Sequence, residues 1–198
     1  ISFSKILTEL GYNNKIIYRD ELFKKLGTKF YKIAVYTHGG ILLNPAKLVN
    51  SMINALPSNV KLFENSQLIN WKKINDKIYC NFNNNKIETK KIIFCTNGFL
   101  RSLGIKKNYN FPITLTASMT RPLTENEHKL IGSPKEWGVL PIRPMGATIR
   151  FTKDKRILIR NTAEIRNPNQ MQKDKLNDKI NLHNIGIKKR FPELPNNM

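Results

Sequence analysis

The chain opens with apolar residues at helical spacing. Ile6, Leu7 and Leu10 recur three to four apart before Gly11, which predicts a short helix. The stretch DELFKKLG reads as a second helix, with Asp20 as N-cap, Leu22, Phe23 and Leu26 inward, and Gly27 as the stop. Residues 31–37, YKIAVYT, read as a strand. Gly39 and Gly40 then make a permissive turn. Asn44 before Pro45 fits an N-cap followed by proline at the first helical position. Leu48, Val49, Met52, Ile53 and Leu56 continue at helical spacing until Pro57 closes the helix.

Between 60 and 97 the rhythm changes to that of strands. VKLFENSQLINWKKI predicts one strand and the start of another, and KIYCNF and KIETKKIIFC flank a turn at Asn83–Asn85. Ile92–Cys95 is apolar on consecutive residues, the pattern of a strand buried on both faces and typically central and parallel. Further on, ITLTASMTRPL, WGVLPIR, ATIRFT and RILIRNT predict strands, with the KDK tip closing an antiparallel hairpin. TENEHKLIG reads as a short helix capped by Thr124 and stopped by Gly132. Residues 168–190 read as one helix carrying Met171, Leu176, Ile180, His183 and Ile187 on a face. The element order predicts a layered α/β (α+β) chain.

Composition narrows the class. With 198 residues, 40% of them apolar, the chain can build a real core. No apolar run approaches the ~20 residues of a membrane span, and no signal peptide is recognised at the start. Cys80 and Cys95 lie in apolar stretches without metal-ligand spacing, so both are expected as reduced, buried thiols in a cytoplasmic protein. The net charge of +20 raises a nucleic-acid reading. Lysines are nevertheless scattered among abundant Asn and Ile, as AT-rich codons would give, and the densest cluster, Lys153, Lys155 and Arg156, sits at a hairpin tip. No nucleic-acid partner is expected.

Common catalytic signatures are missing from the sequence. There is no G-x-G-x-x-G, no phosphate-binding P-loop and no G-x-S-x-G elbow. His38, His128 and His183 stand in different elements without zinc spacing, so surface or capping roles are expected and no metal site is assigned. Glu125 and Glu127 fit a helix start. One stretch stands out: KKIIFCTNGFL, where an apolar run ends in Thr96-Asn97-Gly98. Ligands of open α/β sheets bind beyond the carboxyl ends of such strands. An ordinary strand-to-turn exit explains the same residues equally well.

Four ordered stretches resemble the D-amino-acid oxidase-like family of FAD-dependent oxidoreductases, nearest the gamma-glutamylputrescine oxidase branch. They are HGGILLNPAKLVNSMINAL (38–56), VKLFENSQLINW (60–71), IETKKIIFCTNGFL (87–100) and the long stretch from TASMTRPL to RILIRNT (116–162). The resemblance implies an FAD-binding Rossmann-like domain interleaved with a substrate domain on an antiparallel sheet. It divides the chain into connecting helices and strand (1–37), part of the FAD domain (38–100), the substrate-domain sheet (101–165), and a helix with its connection (166–198). It implies oxidation of the C–N bond of a small-molecule amine or amino acid, with hydride passing to the flavin and O2 as the expected acceptor.

Residue by residue, the resemblance assigns cofactor contacts to Leu68, Thr96, Asn97 and Gly98, and a turn near the domain junction to Gly39 and Gly40. Substrate candidates are Thr148, Arg150 and Arg160, with Thr152 on the same strand face as Thr148 and Arg150, and Arg121 beside Pro122. Arginine suits bidentate binding of a carboxylate, although a solvent-facing arginine on a sheet is the commoner case. No catalytic base is assigned. The family's N-terminal dinucleotide fingerprint and its C-terminal segment are missing from the sequence, so an internal fragment, inactive by itself, is expected. Two other readings stay open: a basic nucleic-acid-binding module and a cofactor-free interaction domain on the same scaffold.

Overall fold

The computed structural model describes residues 2–106, 109, 112–165 and 173–195. The chain divides into two compact units, one formed by 1–43 with 113–198 and the other by 44–112. Helices and antiparallel sheets make up both, an α+β mixture.

The first unit begins with helix α1 (Ser2–Glu9), strand β1 (Asn14–Tyr18), helix α2 (Arg19–Leu26) and strand β2 (Ile33–Thr37). β1 pairs antiparallel with β2, Ile16 facing Val35. Sequence periodicity missed β1, because its short apolar run lies between two helices. α2 starts one residue before the expected Asp20: Tyr18 is its N-cap and supplies no side-chain bond. Gly27 ends it with φ 68°, and a Cβ there would come 2.3 Å from the Ile131 carbonyl oxygen. Glycine is therefore required twice over, by conformation and by close approach.

A four-stranded antiparallel sheet forms the rest of this unit. Its strands are β6 (Ile113–Met119), β7 (Trp137–Val139), β8 (Thr148–Phe151) and β9 (Ile157–Ile165), in the order β6-β9-β8-β7. Helix α4 (Glu125–Leu130) interrupts the strands and helix α5 (Lys173–Arg190) follows them. Thr124 and Glu127 close a capping box at α4, as the T-x-x-E spacing implies. Ile149, Phe151, Ile157 and Ile159 pack against Ile187, Phe191 and Leu194 to form the main core. A second core of Ile17, Leu22 and Leu26 meets it through Trp137. The expected helical face of α5 holds for Ile187 and His183, but Ile180 is exposed and Met171 lies outside the described residues.

The second unit contains helix α3 (Pro45–Asn54), strands β3 (Asn70–Ile74), β4 (Lys77–Asn81) and β5 (Lys86–Thr89), and a 3-10 helix over Asn97–Leu103. Asn44 caps α3 by accepting from the Lys47 amide at 3.1 Å, and the β4–β5 hairpin turns at the Asn cluster as expected. Two expectations fail here. Residues 60–69 form no strand, and neither does Ile92–Cys95. The latter stretch still alternates, with Ile92 and Phe94 half-buried and Ile93 and Cys95 exposed, but no described strand pairs with it. An extended segment without a ladder partner keeps its pleat and not its sheet. For the same reason Cys95 is exposed, whereas Cys80, on paired β4, is buried.

Candidate functional site

Antiparallel register decides which side chains share a face. Across the four-stranded sheet, Thr148 stands opposite Arg160, and Arg160 opposite Ala117. In the next such row, Gly138 faces Arg150, Arg150 faces Leu158, and Leu158 faces Met119. The intervening residues Ile149, Phe151, Ile157 and Ile159 point into the core beneath α5. Thr148, Arg150 and Arg160 therefore share the opposite, open face.

On that face Arg160 is exposed, Arg150 half-buried and Thr148 buried. The Arg160 guanidinium reaches the Thr148 hydroxyl at 3.5 Å. Leu42 lies beside Gly138 and Arg150, at 3.5 Å and 3.9 Å from the position a Gly138 Cβ would take. β6 adds Leu115, Ala117 and Met119, all exposed. Two guanidinium groups thus stand among apolar neighbours. Such a surface can seat a carboxylate while keeping water from the atoms beside it.

Thr152 lies just past β8 and serves the hairpin: its hydroxyl accepts from the Arg156 amide at 2.9 Å. Arg121 is committed elsewhere. It grips both Glu127 oxygens at 2.6 and 2.7 Å, and this guanidinium, with the Thr124 amide, lowers the Glu127 carboxyl to about 2. The hairpin-tip cations are engaged too: Lys155 meets Glu125, and Arg156 bonds Asp154 and the Thr120 carbonyl.

The remaining candidates belong to the second unit. Leu68 is half-buried in the irregular stretch before β3. Three residues on, the Trp71 ring lies against Phe94 with centroids 5.2 Å apart, and its Nε1–H donates to the Leu103 carbonyl at 3.1 Å. Trp71 so ties the stretch bearing Leu68 to the one bearing Thr96, Asn97 and Gly98. Thr96 precedes the 3-10 helix, and its Oγ1 is buried with no hydrogen-bond partner among the described residues. Asn97 takes φ 46°, a conformation Asn tolerates better than most residues. Among the described residues a Cβ at Gly98 would meet only Pro112, at 3.9 Å. Packing among these residues therefore does not demand glycine there. A donor-acceptor left open at Thr96 and bare backbone at Gly98 fit a ligand that approaches the main chain closely. These residues, with Leu68, could hold part of a cofactor.

Of the histidines, His38 packs edge-on to Tyr36. His128 stacks on Phe151 and its Nε2 meets the Pro134 carbonyl at 3.0 Å. His183, expected at the surface or in a cap, is instead fully buried on the sheet side of α5, its Nδ1 2.7 Å from the Ser118 hydroxyl. Periodicity had placed it on the inward face of the helix, the one signal that pointed to its burial. Among the described residues no group of His, Cys, Asp and Glu could hold a metal ion, and no helix is long and apolar enough to cross a membrane.

No curated protein matches the chain. The model of a protein family described as FAD dependent oxidoreductase matches residues 3–197.

Proposed function

The chain belongs to the FAD-dependent oxidoreductase family, and from that premise we propose that it serves the oxidation of the C–N bond of an amine or amino acid. Its cofactor is FAD. When bound, FAD supplies the hydride acceptor, and the protein supplies binding and orientation. In this reading residues 44–112 contribute part of the FAD domain and the four-stranded sheet is the floor of the substrate domain. Thr96 offers its unpaired hydroxyl to the cofactor, with Asn97, Gly98 and Leu68 beside it.

The observation that carries the proposal is the open sheet face. Thr148, Arg150 and Arg160 stand there in adjacent cross-strand rows, next to the exposed apolar side of β6. Arg150 and Arg160 would fix a substrate carboxylate by charge-assisted bonds. Leu115, Ala117, Met119 and Leu42 would line the substrate's carbon skeleton and displace water. A deprotonated amine held against the cofactor needs no further base from these residues. The nearest relationship we propose is to gamma-glutamylputrescine oxidase-type enzymes, with O2 as acceptor. A cytoplasmic setting, expected from the two cysteines, is part of the same proposal.

Absorbance of the whole protein after FAD addition tests it. Bound-flavin bands that bleach anaerobically with an amine or amino acid support the reading. Failure to take up FAD, or bands unchanged across a panel of both substrate classes, contradicts it.

A further inference from the structure

β6 is amphipathic in the unusual sense. Ile113, Leu115, Ala117 and Met119 are exposed, while Thr114, Thr116 and Ser118, the polar half of ITLTASM, are half-buried on the other face. Ser118 identifies that face as the one beneath α5, because its hydroxyl bonds His183 of that helix.

β9 is reshaped to match. Thr116 pairs with Asn161 and Thr114 with Glu164, so β9 carries one extra residue across this interval. Thr162, within it, takes φ 60°. A β-branched residue in the left-handed region is strained, and an inserted residue shifts the alternation of side chains. Asn161 and Glu164 consequently share the α5 side, where regular alternation would separate them. Lys179 of α5, itself buried, donates to Glu164. Gly186, one turn past His183, packs so closely that a Cβ would lie 2.8 Å from the Ile159 side chain.

The result is a polar seam inside a packed helix-on-sheet interface. Three of its atoms are buried with no partner among the described residues: Thr116 Oγ1, Asn161 Oδ1 and His183 Nε2. Strand register and the Ser118–His183 bond bring these residues to one stretch of the seam. Thr116 and Asn161 are directly opposed, their Cβ atoms about 5 Å apart. Ser118, which carries the His183 ring, lies on the same face one repeat away, about 7 Å along the strand. Isolated unpaired groups occur in native proteins, but three in one place call for a common partner.

We propose that this seam is an internal water site, in which ordered water bridges Thr116, Asn161 and His183. Asn161 Oδ1 can only accept, so the water donates to it. The Ser118 hydroxyl donates to Nδ1 of neutral His183, leaving Nε2–H to donate to water. Each water then has the two to four polar partners that buried waters require. Hydration completes the bonding of a strand that turns Arg160, the neighbour of Asn161, to the open face.

Two measurements on the full chain test the site. In a high-resolution crystal structure, density for water is expected within about 3 Å of at least two of the three atoms; a dry seam overturns the proposal. Thr116→Val keeps the side-chain shape and removes the hydroxyl. If water satisfies that hydroxyl, the melting midpoint falls by about 2–4 °C. If the hydroxyl is unpaired, its removal leaves the midpoint unchanged or raises it, which also overturns the proposal. The wild-type structure decides the question even if the variant fails to fold.

Discussion

The sheet of residues 113–165 and the stretch of residues 44–112 are comparably rich in apolar side chains, yet they use them differently. In the sheet, Ile149, Phe151, Ile157 and Ile159 are buried against α5. In residues 44–112 the buried apolar side chains among those described are Ile78 and Cys80. Leu48, Val49 and Met52 of α3 and Ile93 after β5 are exposed. Pattern specifies which face of an element is apolar, and only a second element makes that face a core.

The largest test of this contrast is truncation. Phe151→Ala removes a ring that is 1% exposed and stacked between His128 and Trp137, and should cost about 3–5 kcal/mol in denaturant titrations. Met52→Ala, at a side chain 62% exposed, should stay within about 0.5 kcal/mol. Equal losses at the two sites would break the comparison.

Capping gives an intermediate effect. Thr124→Ala should cost about 1 kcal/mol by opening the capping box of α4, measurable as a lower denaturation midpoint. Glu127 joins the same box with a folded-state pKa of about 2, below its ordinary 4.5. Its contribution is complete above pH 4.5 and is lost as pH falls toward 2. Glu127→Gln should flatten that part of the acid titration.

Thr96→Val sharpens the contrast from the other side. Its hydroxyl has no partner among the described residues, so folding stability should hold or rise, while FAD affinity should weaken on the order of 2–10-fold by equilibrium titration. A stability loss with unchanged FAD binding would assign Thr96 to the fold.

The smallest expected effect belongs to His183. Burial, and then the Lys179 charge, lower its pKa below 6.5. Its folded-state pKa lies below the unfolded one, so its stabilising contribution is full above about pH 6.5 and declines as pH falls below that. Lys179, the cation acting on it, is itself paired with Glu164. His183→Gln should remove this shallow slope on the acid side of about pH 6.5, read by thermal melts across pH.

Local rules made much of this visible in the sequence. Asn44-Pro45, the Asn83–Asn85 turn, the Thr124 cap and the KDK hairpin each formed where their chemistry predicts. The alternation A-T-I-R-F-T was enough to put Thr148 and Arg150 on one face. What escaped depends on partners distant in sequence. Ile92–Cys95 has the composition of a buried strand and no described neighbour to pair with. ITLTASM was legible as a strand, but hydrophobicity alone would turn its apolar side inward, whereas Ser118 and Thr116 face the helix. The bulge at Thr162, which aligns Asn161 with Glu164, contains no glycine, and its left-handed residue is a threonine rather than the adjacent asparagine.

The open sheet face as the seat of a carboxylate is tested most directly by anaerobic flavin bleaching in the whole protein, with Arg150→Ala/Arg160→Ala compared against wild type. The expected result is intact FAD binding, with the amino-acid concentration for half-bleaching raised on the order of 10–100-fold and a carboxylate-free amine unaffected. Unchanged half-bleaching with the amino acid would contradict it.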